Sequence, residues 1–126
     1  MKPDFSKFSV LPVIAQDFLS KDVLMLAYMN EEAWNLTLQK GFVHYFSRSR
    51  NRIWMKGESS GHTQRVIEIM LDCDLDAVLI MVEQNGGAAC HEGYKSCFYR
   101  SFKDGQGFIN QDRIKNPDEI YGQKKP

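Results

Sequence analysis

The sequence predicts an α+β domain with a mostly antiparallel, barrel-like sheet and one main helix. Two observations support this fold class. Short apolar and β-branched runs alternate with turn residues along most of the chain, which is typical of antiparallel strands. Helix start and stop signals occur together in one segment only. The chain has 126 residues, which fits a single domain over residues 1–126.

The helix is predicted over the segment EEAWNLTLQK, residues 31–40. Asn30 is a favoured N-cap residue, and the two glutamates that follow it lie where the helix dipole stabilises carboxylates. Gly41 comes just after the segment, at the position where a left-handed residue commonly ends a helix.

The predicted strands share apolar or β-branched composition and turn residues at their ends; in chain order they are LPVIAQ, DVLMLAYM, FVHYFS, IWMK, RVIEIML, DAVLIMVEQ and SCFYRSF. RVIEIML and DAVLIMVEQ are the most continuously apolar, and we expect them to be central strands. DGQG is predicted as a turn. The polar tail from about residue 109 is expected to be peripheral.

The charges of the chain balance, with 16 Lys or Arg and 16 Asp or Glu. This neutrality gives no general reason to expect nucleic acid or a membrane as a partner. No apolar run approaches the roughly 20 residues that span a bilayer. The first residues show no secretory signal pattern, so the expected compartment is the cytoplasm.

The charges are nevertheless separated along the chain. Residues 44–65 contain five Lys or Arg and one acidic residue, whereas residues 66–94 contain six Asp or Glu and no Lys or Arg. The basic block suits anionic groups such as phosphates, and the acidic block suits cations such as metal ions. The alternative is a solvent-exposed face that carries charge without a ligand.

Asp72, Asp74 and Asp76 alternate with other residues in DCDLD. In a flat strand these carboxylates would share one face, and Asp72 would lie roughly 13 Å from Asp76. Ligands of one magnesium ion lie about 2.1 Å from it, so either the segment bends sharply or not all three bind directly. A polar edge between two strands is the alternative. A calcium-loop pattern is rejected because Ala77 stands where that loop needs glycine.

Cys73, Cys90 and Cys97 have a spacing unlike any CxxC knuckle, and buried free thiols are the simple alternative to a metal site. Cys90 and Cys97 lie in or beside a glycine-rich loop rather than on an apolar strand, which favours metal binding. Three thiolates leave the fourth position of zinc open for water, as in catalytic sites. If His91 or His62 filled that position, the zinc would be structural.

The run SRSRNR places arginines on alternate positions, among them Arg48 and Arg50. On one face of an extended segment they could hold phosphate through paired hydrogen bonds, and Trp54 nearby could stack on a base. A solvated edge strand is the alternative. His44 lies in an apolar strand pattern and is expected to be a core histidine, whereas His62 in SSGHTQ suits either a catalytic or a structural role.

The ordered run HYFSRSRNRIWMKGESSGHTQ, then DCDLD, then NGGAACHEGYKSCFYR, resembles the phosphoribosyl-AMP cyclohydrolases of histidine biosynthesis. The resemblance extends from about residue 22 to about residue 102. It implies hydrolysis of the purine ring of 1-(5-phosphoribosyl)-AMP between ring nitrogen 1 and carbon 6. This reaction is the third step of L-histidine biosynthesis and yields the phosphoribosyl-formimino-AICAR-phosphate product.

The resemblance also implies zinc and magnesium as cofactors and an intertwined, cytoplasmic homodimer. It assigns magnesium to Asp72, Asp74 and Asp76, and zinc to Cys73, Cys90 and Cys97 drawn from both subunits. In many bacteria a pyrophosphohydrolase domain is fused downstream. A chain of this length is expected to be the single-function form without that domain.

Ring opening needs a water nucleophile, a proton acceptor and places for two phosphorylated ends. A zinc ion with three thiolates carries a net negative charge and is a weaker Lewis acid than one with three histidines, so a general base should matter more. His91, next to Cys90, is the expected base, and His62 is the second choice. The expected phosphate contacts are Arg48, Arg50 and Lys56, with Trp54 as a platform for the base.

Two other classes of protein are alternatives to this hypothesis. A zinc-stabilised nucleic-acid-binding module would use SRSRNR and Trp54, unfold when zinc is removed and lose affinity steeply with salt. A zinc nucleobase deaminase would need H-x-E followed by P-C-x-x-C, and the sequence contains neither pattern.

Overall fold

The computed structural model describes residues 1–121, which form eight strands and two helices. The strands are β1 (Leu11–Asp17), β2 (Val23–Met29), β3 (His44–Ser47), β4 (Arg52–Met55), β5 (Gln64–Leu71), β6 (Val78–Gln84), β7 (Arg100–Lys103) and β8 (Gln106–Ile109). The helices are α1 (Glu31–Lys40) and α2 (Pro117–Tyr121). Neither helix is long and apolar enough to cross a membrane, within the part of the chain just defined.

The main sheet has four strands in the order β2-β1-β6-β5, and β3-β4 and β7-β8 form two separate hairpins. All strand pairs are antiparallel except β1 with β6, which is parallel. The α+β class and the mostly antiparallel pairing are therefore confirmed. The barrel is not: in the described residues β2 and β5 are the outermost strands of the main sheet and do not pair with each other, although the start of β5 hydrogen-bonds to residues 41–43.

The position of β5 also differs from the prediction, since RVIEIML is an edge strand and only DAVLIMVEQ is central. Arg65 and Glu68 on β5 are exposed, and charged residues are typical of sheet edges because they discourage pairing with other chains. The continuous apolar run thus marked strand formation correctly but not the position of the strand in the sheet.

The start of the predicted last strand is arranged differently as well. Only residues 100–103 of this region are in β7, while the Ser96 hydroxyl donates to the carbonyl of Val23 (2.7 Å) and fixes the preceding residues against β2. Asp104 and Gly105 make the turn with positive φ values of 52° and 77°. The second half of DGQG begins β8, and the predicted tail boundary near residue 109 coincides with the last residue of that strand. The final residues of that tail, 122–126, lie outside the described residues.

The helix α1 forms as its capping residues predict. The Asn30 side chain accepts the backbone N–H of Ala33 at 2.9 Å, and Gly41 closes the helix with φ of 78°. Thr37 on the buried face accepts the backbone N–H of His44 at 2.9 Å, which fixes the start of β3 against the helix.

A buried polar network joins the β3-β4 hairpin to the main sheet. The hydroxyl of Tyr45 on β3 donates to Gln64 Oε1 on β5 at 2.7 Å, and Gln64 Nε2 donates to Gln84 Oε1 on β6 at 2.9 Å. Tyr45 and Gln64 are completely buried, and burial raises the pKa of Tyr45. Across residues 1–121 no buried side-chain nitrogen or oxygen lacks a hydrogen-bond partner.

The substitution Tyr45→Phe tests this network. It leaves the buried Gln64 oxygen without its donor, which costs about 1–3 kcal/mol of the free energy of unfolding. Tyr28→Phe is the matched control, because the Tyr28 ring stacks under Arg48 and its hydroxyl has no protein partner among residues 1–121. Urea denaturation should show a loss for Tyr45→Phe and a change within about 0.5 kcal/mol for the control. Equal losses of stability in the two variants would contradict a stabilising role for the hydrogen bond between Tyr45 and Gln64.

Candidate active site

The DCDLD segment makes a sharp turn between β5 and β6. Asp72 accepts the backbone N–H groups of Asp76 (3.0 Å) and Ala77 (3.1 Å), and Leu75 has a positive φ of 63°. The carboxylate oxygens of Asp72, Asp74 and Asp76 consequently lie within 4.8 Å of one another. Of the two alternatives in the prediction, a sharp bend or incomplete ligation, the structure shows the bend. One divalent cation with oxygen ligands at about 2.1–2.5 Å can bridge such a separation.

Close contact between the carboxyl groups and backbone hydrogen bonds determine the electrostatics of this aspartate turn. Contact with the Asp74 carboxylate, followed by burial and the nearby Asp72, raises the pKa of Asp76. Burial acts to raise the pKa of Asp72, but the backbone N–H groups of Asp76 and Ala77, together with contacts to the Asp74 and Asp76 carboxyls, outweigh it and the pKa is lowered. The three side chains therefore share their negative charge unequally, and a bound cation would remove the repulsion.

The loop of residues 86–97, hereafter the cysteine loop, brings two of the three cysteines together. Cys90 is buried, and its thiol lies close enough to that of Cys97 to interact with it. Part of Cys97 is exposed, but the surrounding protein desolvates its thiol, and this desolvation, with the neighbouring Cys90, raises the pKa to about 11. A metal ion would have to displace the thiol proton, and thiolates are ligands that zinc prefers.

The third cysteine lies elsewhere. Cys73 is exposed on the aspartate turn. Within residues 1–121 the three aspartates are the only group of three or more metal-ligand side chains that converges, so the three thiols do not meet within one chain.

The basic run SRSRNR forms the turn of the β3-β4 hairpin rather than an extended segment. Ser47 pairs with Arg52 across the hairpin, and Asn51 within the turn has a positive φ of 50°. The expected single face of alternate arginines is therefore wrong. Arg48 instead lies over the Tyr28 ring, with its guanidinium carbon 3.7 Å from the ring centre.

Arg50 and Arg52 line a cavity of about 290 Å³ beside the hairpin. Its other lining residues are Ser47, Trp54, Met55, Lys56, Gly57, Glu58, Ser59 and Ser60. Trp54 packs against Tyr45, with ring centres 5.2 Å apart, and also borders a second, more open groove that contains Arg48. The sequence indicated Arg52 only as one of the three arginines of SRSRNR, and it did not point to Ser59 or Ser60. The hydroxyl-rich GESSG segment was the available signal.

Lys56 connects this cavity to the cysteine loop. Its ammonium donates to the carbonyl of Ala89 at 2.5 Å and lies 5.9 Å from the centre of the Trp54 ring. Burial lowers the pKa of Lys56, while the nearby Cys97 and Cys90 act to raise it. The lysine therefore stands between the arginine cavity and the pair of thiols.

His62 also contacts the cysteine loop. Its Nδ1 is 3.0 Å from the carbonyl oxygen of Ala88. The ring lies directly on Gly86, where a Cβ atom would come within 2.5 Å of His62 Cδ2. Glycine is required at residue 86 for this contact, a signal that no local pattern in the sequence reveals.

The other two histidines have opposite environments. His44 is buried, with Nδ1 2.8 Å from the carbonyl oxygen of Phe42, so the expectation of a satisfied core histidine is confirmed. His91 follows the buried Cys90 but is exposed, and its Nε2 lies 3.5 Å from Glu92 Oε1. Of the histidines flanking the thiols, His91 is the one whose ring is open to an incoming molecule.

Comparisons with known proteins show the family to which the chain belongs. The family model described as phosphoribosyl-AMP cyclohydrolase matches residues 25–99. A phosphoribosyl-AMP cyclohydrolase of Nitratidesulfovibrio vulgaris (strain Hildenborough) is 55% identical over 120 residues, covering 94% of this chain and 95% of the relative. A protein of the same name from Nitrosospira multiformis is 51% identical over 123 residues, covering 98% and 95%. Another, from Methanospirillum hungatei, is 55% identical over 117 residues, covering 93% and 86%. The chain belongs to the phosphoribosyl-AMP cyclohydrolase family of hydrolases.

Proposed function

We propose that the protein hydrolyses 1-(5-phosphoribosyl)-AMP in the cytoplasm, opening the purine ring between nitrogen 1 and carbon 6 during histidine biosynthesis. The observation that carries the proposal is the direct connection, through Lys56, between a cavity lined by Arg50, Arg52 and Trp54 and the loop with paired thiols. The cavity suits a phosphorylated purine, and the loop suits a catalytic metal with a histidine beside it.

The basic groups on the two sides of Trp54 suit a substrate with two phosphorylated ends. Arg50 and Arg52 face the cavity on one side, and Arg48 faces the groove on the other. An arginine guanidinium can bind a phosphate through two parallel hydrogen bonds, and an indole face can stack on a purine. We assign one phosphorylated end to Arg50 and Arg52 and the other to Arg48, with the purine near Trp54.

Zinc and magnesium are proposed as cofactors because the donor sets fit them. Cys90 and Cys97 would hold zinc together with the partner subunit's Cys73, since the three thiols do not meet within residues 1–121 of one chain. Zinc bound there would supply hydroxide near neutral pH. The aspartate turn would hold magnesium, which suits carboxylate oxygens and binds phosphate readily.

A homodimer is proposed as the partner arrangement. Both edge strands of the main sheet expose large apolar side chains, Leu26 on β2 and Ile67 on β5, and the β7-β8 hairpin exposes Phe102 and Phe108. Apolar surface of this kind is typical of protein interfaces. A second subunit would cover this apolar surface and would bring its Cys73 to the paired thiols. The other proposed partner is the small-molecule substrate, and neither nucleic acid nor a membrane is proposed.

His91 is the proposed proton acceptor for the attacking water. Its imidazole is exposed beside Cys90, whereas the His62 ring is packed on Gly86 and bound to Ala88. The negative charge of a three-thiolate site would also favour the protonated form of the purine. Protonation makes carbon 6 more reactive toward water. Lys56 and His62 then hold the cysteine loop in position through the carbonyls of neighbouring residues.

Turnover of 1-(5-phosphoribosyl)-AMP by the enzyme loaded with zinc and magnesium tests the function. Ultraviolet spectra should show the purine chromophore convert to an opened imidazole product. Chelation of zinc should abolish turnover and leave most of the circular-dichroism signal, because the core of a chain this size can fold without metal. No turnover with both metals present would contradict the proposal. Unfolding on chelation would instead favour a structural zinc and a binding module.

Refolding two inactive variants together tests the shared zinc site. In a random mixture of Cys73→Ala and Cys97→Ala chains, half of the dimers are mixed, and each mixed dimer has one intact site. Activity should return to about one quarter of the wild-type value if the sites act independently. If all ligands came from one chain, no pairing would restore a site and activity would stay at that of the separate variants.

Magnesium binding should stabilise the folded protein against heat. A concentration about ten times the dissociation constant adds about 1.4 kcal/mol, which raises the melting temperature by about 5 °C in a domain of this size. Asp74→Asn should remove most of this rise. Asp104→Asn, a change of the same charge in the exposed β7-β8 turn, should keep it. A rise that Asp74→Asn leaves intact would exclude the aspartate turn as the site.

A further inference from the structure

Residues 110–117, here called the C-terminal strap, lie across the tip of the cysteine loop. The backbone N–H groups of Ile114 and Lys115 both donate to the carbonyl of Gly93, at 2.8 and 3.1 Å. The Gln111 side chain accepts the N–H of Ser96 at 3.1 Å. The polar composition of this segment predicted a peripheral tail, yet its backbone is bound directly to the loop that carries the thiols and His91.

Gly93 shows how closely the strap approaches. A Cβ atom built on this glycine would lie 1.8 Å from the carbonyl oxygen of Lys115, and the glycine φ is +91°. No side chain fits there without moving the strap. The two segments are therefore in contact along their backbones, and a displacement of one requires a displacement of the other.

Arg113 of the strap reaches the residue next to His91. Its Nε donates to the carbonyl of Glu92 at 2.9 Å, and its Nη2 lies 3.6 Å from Glu92 Oε2. The other carboxylate oxygen, Oε1, is 3.5 Å from His91 Nε2. The Glu92 carboxylate thus stands between the guanidinium of Arg113 and the imidazole of His91.

These contacts orient side chains more than they stabilise the fold. The side chains of Arg113, Glu92 and His91 are 51%, 42% and 75% exposed, and ion pairs with this exposure contribute only about 0–1 kcal/mol. A carboxylate held from one side, however, restricts the ring that it contacts on the other. Orientation of a catalytic histidine by a neighbouring group is a general requirement of proton transfer.

A stack of rings also links Arg113 to the backbone of Cys90. The guanidinium of Arg113 lies 5.3 Å from the Tyr94 ring centre, and Tyr94 stacks on Tyr99 at 3.8 Å. The Tyr94 carbonyl accepts the N–H of Cys90 at 3.2 Å. Arg100 covers the outer face of Tyr99 at 4.4 Å and has no contact with Glu92 or His91 among residues 1–121.

We propose that Arg113 is a positioning residue for the reaction, holding His91 in its working orientation through Glu92 while the strap holds the loop at Gly93. The inference rests on the proposed function, because it assigns His91 the proton transfer. It adds a part of the chain that neither the metal sites nor the substrate cavity includes.

A double-mutant cycle between Arg113→Gln and His91→Ala tests the inference by turnover of 1-(5-phosphoribosyl)-AMP. In the otherwise wild-type enzyme Arg113→Gln should lower kcat about 10- to 100-fold, part of the usual contribution of acid–base catalysis, with KM changed less than about threefold. In the His91→Ala enzyme the same substitution should change kcat less than about twofold, because the residue that Arg113 positions is gone. Arg100→Gln, which removes the same charge from the same stack of rings, is the control and should keep kcat.

Amide hydrogen exchange supplies a readout that does not depend on activity. Arg113→Gln should speed exchange in residues 88–97 with an unchanged melting temperature, and Arg100→Gln should not. Wild-type kcat in Arg113→Gln, or equal losses in both backgrounds, would overturn the inference while leaving the proposed function intact. A wild-type enzyme without turnover would overturn the proposed function and the catalytic part of the inference together, and the exchange data would then report only on the strap.

Discussion

The buried amide of Gln64 joins the strands that position the arginine-lined cavity and the cysteine loop. It accepts the Tyr45 hydroxyl and donates to Gln84, so it joins β3, β5 and β6 inside the core. Gln84 donates in turn to the carbonyl of His62 at 2.9 Å. A buried amide left without a partner costs about 1–3 kcal/mol for each group, so the three strands are favoured in the single arrangement that satisfies all of them.

That arrangement sets the distance between the arginine-lined cavity and the thiols. The β3-β4 hairpin carries Arg50, Arg52 and Trp54, and the segment after it crosses to the cysteine loop through two carbonyls. Lys56 binds Ala89, and His62 binds Ala88. The proposed binding groups and the proposed catalytic groups therefore come from different parts of the chain, and the core network and these two hydrogen bonds keep them together. The strap closes the same loop from the outside through Gly93.

Short sequence patterns predicted the structure of the residues near them, but they did not predict contacts between residues far apart in the chain. Asn30 and Gly41 determined the ends of α1 because caps act within a few residues. The separation of the aspartates in a flat strand left a sharp bend as one of two alternatives, and the segment does bend. The barrel and the central position of β5 were wrong because strand order depends on pairing between β1 and β6, which are about sixty residues apart. The prediction that the arginines of SRSRNR share one face of an extended segment was wrong because this run forms a hairpin turn, with Asn51 at positive φ.

The most direct measurement is the origin of the oxygen in the product, obtained by running the reaction in ¹⁸O-labelled water and recording the product mass. The account places the attack of water at carbon 6 of the purine, so the new carboxamide should contain one heavy oxygen atom and the fragment that retains it should be the imidazole. Conversion to a product without the label, or with the label outside the carboxamide, would contradict ring opening by water at this site.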